Sequence, residues 1–262
     1  MLGNISRDLA VYQGNRRFEL LGGAALHVAR AASSAGLPAA PVSVIGTDLG
    51  WIRSDPRLAD LDLTAVRVIP GSSCAFTLTY TAVGALADID CSFGVAERLT
   101  GHCLATIGDH GQYHVCGRRP LHVRAVLGRL ARADLTFSID FHLASAGELI
   151  NESADFLADA TLVFVNATEF AILADLADTA RMHGIVVSDG PRAVTLLRHG
   201  SVTAAVRPPD AHAVEVTGAG DALAGTFLAS LAHGMADADA LRAAVAAATR
   251  SIQSPGLVIG EG

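Results

Sequence analysis

Five short, almost unbroken apolar runs alternate with helix-like stretches along this chain, and that alternation limits the fold more than any other feature. Residues 40–46 (APVSVIG), 113–117 (YHVCG), 135–141 (LTFSIDF), 161–166 (TLVFVN) and 185–190 (IVVSDG) carry a small or polar residue at or next to their ends. Such runs suit strands buried on both faces of a parallel sheet. Between them, residues 22–36, 121–133 and 167–184 read as helices. The pattern predicts a layered α/β fold with a central, mostly parallel sheet and helices on both faces.

Two segments break the pattern. Residues 72–94 read as a hairpin around AVGA, with Cys74, Phe76, Leu78 and Tyr80 on one face and Ala75, Thr77, Thr79 and Thr81 on the other. Residues 11–23 read as a second strand pair around QGN. Together they predict a small β lid from about 11–21 and 68–94, too thin to stand alone. It needs something to cover.

At 262 residues, 51% hydrophobic, 17% charged and net −7, the chain has ample core for one domain over 1–262 and no general attraction for nucleic acid. No apolar run approaches the roughly 20 residues that span a bilayer, and the opening GNISRD offers no signal-peptide core. Four scattered cysteines without a CxxC pair predict reduced thiols and a cytoplasmic setting. All 19 basic residues are arginines. A Walker A loop and a pyridoxal Schiff base both need lysine, so both classes are excluded.

The chemistry concentrates at residues 215–225, EVTGAGDALAG. Gly218, Ala219 and Gly220 place unhindered N–H groups at the positive end of an apolar helix, which makes an anion site. Asp221 beside that site makes sense as a base for a group that attacks the anion. Other polar residues close strands: Asn4 and Asp8 follow or end the first, and Asp140, Asn166 and Ser188-Asp189-Gly190 end later ones. Each alone is explained by capping of the next helix. Together with an anion site they favour one cleft beyond the carboxyl ends of the strands. His110 and His114 are separated by glycine and a strand start, so their spacing does not make a zinc site. Arg16 and Arg17 read as solvated turn charges.

These residues resemble the ribokinase-like (PfkB-type) kinases of sugars and nucleosides along nearly the whole chain. GNISRD is similar to the family's opening strand, GGAALHVARAASSAG to its Gly-Gly motif and first helix, and SVIGTDLG to its next strand and turn. NATE at 166–169 resembles the N-x-x-E motif, SDGPRA the nucleotide turn, and TGAGD the signature. The resemblance implies a three-layer sandwich with a β lid, and ATP and Mg²⁺ as partners in phosphoryl transfer to a primary hydroxyl. It implies Asp221 as general base, with Gly218, Ala219 and Gly220 as the anion hole. Asn4, Asp8, Gly22, Gly23 and His27 would meet the acceptor. Asn166, Ser188, Gly190, Thr217 and Val245 would meet the nucleotide. Asn166 and Glu169 would hold magnesium through water.

Departures bear on the substrate. His27 stands where many members carry asparagine, and Ala24 where ribokinases often carry lysine. Glu215 and Val216 replace the usual Asp-Thr, so no monovalent-cation site is expected. Ser188, Ala193 and Val245 also depart from the pattern. Three readings stay open: a sugar or nucleoside kinase, a phosphosugar kinase, and a non-catalytic binding member. Tyr12, Phe18, Phe76 and Tyr80 on the lid keep nucleosides in play. The alternation of Phe76, Leu78 and Tyr80 predicts a homodimer through the lid. No membrane partner is expected.

Overall fold

The computed structural model describes residues 1–12, 14, 16–81, 86–141, 145–254 and 256–261. The AVGA turn and two residues of QGN lie outside them. Its strands are β1 (Ser6–Val11), β2 (Arg17–Gly22), β3 (Ser43–Gly46), β4 (Val66–Ile69), β5 (Ala75–Tyr80), β6 (Leu86–Ser92), β7 (Gln112–Gly117), β8 (Thr136–Phe141), β9 (Leu162–Asn166), β10 (Ile185–Ser188), β11 (Val194–Arg198), β12 (Ser201–Val206) and β13 (Leu257–Glu261). The helices are α1 (Ala24–Ser34), α2 (Leu99–Thr106), α3 (Val123–Arg132), α4 (Ala146–Ser153), α5 (Ala167–Leu176), α6 (Ala219–Ala232) and α7 (Asp237–Ser251).

The main sheet runs β12-β11-β10-β9-β8-β7, parallel from β7 to β10 and closed at one edge by the antiparallel β11 and β12. Leu2 bridges in parallel to Val115 and to Val42, which joins the parallel β3–β4 pair to the same layer. Side-chain alternation then assigns the helices. Val163, Val165 and Ile185 pack into the core with α2 to α5, while Leu162, Phe164 and Val186 pack with α6 and α7. Helix α1 lies against α6, where a Cβ on Gly225 would collide with the Val28 carbonyl. The result is the expected three-layer sandwich.

The smaller sheet runs β13-β2-β1-β5-β6. The hairpin over 72–94 is present as β5 and β6 in antiparallel pairing. Two expectations need correction. The opening strand is split: Leu2 serves the main sheet, and the chain then crosses at once into β1, so Asp8 lies within a strand of the small sheet. The chain's last residues, as β13, also pair with β2. Helix α5 stops at Leu176 instead of running on to 184, because the Asp178 side chain accepts the Ala180 N–H and starts a separate short turn.

The apolar face of the small sheet is covered within the chain. Ala10, Leu20, Leu78 and Tyr80 are buried, packed by Tyr12, Phe18, Phe76, Ile89 and Val258. Leu78 and Tyr80 retain 4% and 3% exposure, so the alternation that suggested a partner lid is already satisfied. The four cysteines are free, with Cys91 exposed and the others buried. Among the described residues, no helix is long and apolar enough to cross a membrane.

Candidate active site

Helix α6 begins at Gly218, whose φ of 84° is a left-handed conformation that suits glycine, and no side chain caps the helix. The amides of the first turn lack a carbonyl four residues back, so an uncapped start leaves donors for an anion. One expected donor is partly engaged: the Ala219 N–H turns back onto the Val216 carbonyl at 3.3 Å. Asp221, in that first turn and 6% exposed, does not cap the backbone. Its Oδ1 accepts from Arg118 Nη2 at 2.8 Å.

Arg118 follows β7 directly and was not legible as a site residue. Its Nη1 donates to Asp140 Oδ1 at 2.7 Å, and that oxygen also accepts the Gly117 N–H at 3.2 Å. Behind Asp140, His114 Nε2 lies 3.7 Å from Oδ2 and Nδ1 meets the Ser138 hydroxyl at 2.9 Å. Burial pushes the Asp140 carboxyl up, but Arg118 and His114 outweigh it and hold the group at about 2. Burial pulls the Arg118 guanidinium down, and Asp140 and Asp221 overcome that to hold it above the usual arginine range. His114, Cys116 and Asp140 bring nitrogen, sulfur and oxygen within 4.8 Å. Arg118 already neutralises that carboxylate and burial raises the Cys116 thiol well up, so the trio fits an ion-pair chain better than a metal cradle.

The residues expected to meet the acceptor gather around the crossing between the sheets. A Cβ on Gly22 would collide with the Asp8 carboxylate, and one on Gly23 with the Asn4 carbonyl; Gly23 also has φ 101°. The Gly-Gly pair is therefore required by close approach. Asp8 is buried, accepts the Phe76 N–H at 3.2 Å, and is pushed up to about 7, chiefly by burial. Among the described residues Asn4 Oδ1 is buried without a hydrogen-bond partner, while the Ser6 hydroxyl sits beside the Asp8 carboxylate and stabilises its charged form. Buried polar atoms of this kind await a partner, and ligand hydroxyls would supply it. His27, on α1, sits beside Gly218: a Cβ there would be 3.9 Å from the imidazole. Burial lowers the His27 pKa, with Asp221 opposing.

On the other side, Asn166 and Glu169 form a reciprocal capping box at the start of α5. Asn166 Oδ1 accepts the Glu169 N–H at 2.9 Å, and Glu169 Oε2 accepts the Asn166 N–H at 2.8 Å. Glu169 is 3% exposed and pushed up to about 7, mainly by burial. Burial, with Asp140 adding to it, outweighs the opposing pull of Arg118, and a carboxyl so placed fits a magnesium-supporting role. Ser188 ends β10 with its hydroxyl 3.5 Å from the Val165 carbonyl, and open space surrounds Gly190. Val245 is packed in the core on α7 and is not brought to the cluster. Thr217 contacts Tyr80 OH at 2.6 Å, and Glu215 bonds Tyr12 and Tyr80. The role of Glu215 was missed; its departure from the family pattern was the available signal.

The family model for pfkB family carbohydrate kinases matches residues 6–261. The chain is 28% identical over 253 residues to a cytidine kinase of Thermococcus kodakarensis, covering 89% of this chain and 88% of that protein. Its fold is similar to Burkholderia thailandensis nucleoside kinase in complex with inosine, with TM-score 0.82, 20% identity and coverage of 97% and 91%. It is also similar to an E. coli protein described as a ribokinase II, in complex with ATP and Mg²⁺, with TM-score 0.77, 17% identity and coverage of 97% and 92%. The chain belongs to the pfkB family of carbohydrate kinases and is an ATP-dependent kinase.

Proposed function

We propose that the chain transfers the γ-phosphoryl group of ATP to a primary hydroxyl of a nucleoside. The observation that carries the transfer is the pairing of Arg118 with Asp221 at the uncapped start of α6. A carboxylate, a guanidinium and free amides there provide a base, a counter-charge and an anion hole. Arg118 neutralises Asp221. An incoming phosphate competes for the guanidinium, which Asp140 keeps in place, and this releases Asp221 to accept the hydroxyl proton. The first-turn amides of α6, Gly220 foremost, then face the transferring oxygens. Magnesium, when bound, offsets the triphosphate charge, and Asn166 and Glu169 would hold it through its water shell.

The acceptor side is built for hydroxyl groups. Asp8 accepts, and among the described residues the buried Asn4 Oδ1 lacks a partner. His27 flanks the anion loop. Support for a nucleoside comes from the half-buried Phe18 and Phe76 of the small sheet, and from the cytidine and nucleoside kinases that the chain resembles. A phosphosugar is disfavoured, since Asp8 lies across the strands from Leu20 and feels the Glu215 carboxylate. The small sheet acts as the lid that excludes water.

The test is ADP release with Mg·ATP across nucleosides, free sugars and phosphosugars, with the product identified by phosphorus NMR. Nucleoside 5′-monophosphates are expected. Turnover confined to sugars or phosphosugars would reject the nucleoside, and none with any acceptor would reject the kinase.

A further inference from the structure

We propose that Glu215 is a positioning residue whose carboxylate ties the small sheet to the loop that starts α6, so that covering the acceptor and ordering the anion site occur together. Glu215 is 4% exposed, yet its contacts are neutral donors rather than a cation. Oε1 accepts from Tyr80 OH at 3.0 Å, and Oε2 accepts from Tyr12 OH and from the Gly256 N–H, both at 3.1 Å. Three distant segments thus meet on one side chain: the end of β1, the end of β5, and the approach to β13.

The direction of these bonds is fixed. Both tyrosine hydroxyls donate to the Glu215 carboxyl oxygens. Tyr80 has then used its single proton, and its 2.6 Å contact with Thr217 Oγ1 has Thr217 as donor. The chain runs from Thr217, one residue before Gly218 where the anion site begins, through Tyr80 to Glu215. The two tyrosine rings stack at 5.0 Å and 13°, which holds both hydroxyls toward the same carboxylate. Burial and Glu215 itself raise both tyrosine pKa values, so the hydroxyls keep their protons. From behind, the Val214 and Glu215 amides donate to the Ile252 carbonyl at 2.7 and 3.2 Å and hold the loop to the end of α7.

When the sheet lifts, Glu215 and both hydroxyls regain water, so the latch is reversible. Closure depends on bonds made only when strands and loop are together. The catalytic consequence rests on the kinase reading; the latch itself does not.

The experiment uses the full chain without ligand and the double variant Tyr12→Phe/Tyr80→Phe, which keeps both rings and deletes only the hydroxyls. Hydrogen–deuterium exchange is followed at β5, at residues 215–221 and, as reference, at β8 and β9. Exchange at β5 and 215–221 is expected to rise roughly tenfold or more with the reference unchanged, as loss of bonds to a charged group implies. Glu215→Gln, which keeps one accepting oxygen, is expected to give a smaller rise at the same segments. In turnover, the double variant is expected to raise the acceptor KM more than it lowers kcat. Unchanged exchange at both segments overturns the latch, as does an equal rise in β8 and β9. If the parent transfers no phosphate but the exchange pattern is as expected, the latch stands and the kinase reading falls.

Discussion

Arg118 Nη2 lies 2.8 Å from Asp221 Oδ1, across 103 residues of sequence, and its other nitrogen is held by Asp140. This relationship separates Asp221 from an ordinary helix cap, since its carboxylate accepts from Arg118 and no side chain caps the start of α6. Under the proposed function it also puts a cation where charge would build up during phosphoryl transfer.

Removing that cation is expected to damage turnover and stability by separable routes. Arg118→Met leaves Asp140 and Asp221 buried with their charges unmatched, which costs about 3–5 kcal/mol of stability. Turnover is expected to fall roughly 10²–10³-fold, the usual effect of losing one transition-state donor. Adding Asp140→Asn is expected to recover much of the stability but not the turnover. Denaturation curves and kcat on the single and double variants check this; full turnover in Arg118→Met would contradict the proposed role.

Asp8 gives a pH dependence with a defined sign. Its carboxyl moves from an ordinary 3.8 to about 7 in the folded protein. A folded state that binds its proton more tightly loses stability as pH rises between those values, here by up to roughly 4 kcal/mol. Asp8→Asn is expected to be more stable than the parent above pH 7 and to match it below pH 4. Acceptor hydroxyls donate to the ionised carboxylate, so the parent's acceptor KM is expected to fall as pH rises through about 7. Thermal melts and KM measured from pH 4 to 9 test both; a flat KM profile in the parent would remove Asp8 from the acceptor site.

Much of the site was legible because it is local in sequence. The residues 218–221, the Gly-Gly pair and the Asn166–Glu169 spacing are short patterns whose physics depends on neighbours a few positions away. Arg118 was not legible because GRRP offers two adjacent arginines and nothing local distinguishes them. Arg118 turns inward to two aspartates, whereas Arg119 pairs with Glu148 and Glu152 nearer the surface. The split opening strand and the recruitment of β13 were hidden for the same reason: both depend on pairing partners remote in the chain. Val245 was singled out only through its aligned position, and the structure shows its apolar side chain packed in the core on α7.

Glu169 combines a cap with a proposed magnesium role, and the two can be separated. Glu169→Gln keeps an oxygen for the Asn166 N–H, so stability is expected to change by about 1 kcal/mol or less. The magnesium concentration for half-maximal turnover is expected to rise, with little change in acceptor KM. Superimposable magnesium titrations for variant and parent would leave Glu169 as a cap alone.

The most direct measurement is phosphoryl transfer and ATP affinity on the same folded sample of Asp221→Asn. The substitution keeps size and hydrogen-bonding capacity but removes the proton acceptor. Transfer is expected to fall roughly 10²–10⁴-fold. ATP binding is expected to persist or tighten, because a negative charge near the γ-phosphate is gone and Arg118 is freed. Near-normal transfer with a lowered melting temperature would show that Asp221 serves the helix and not the reaction.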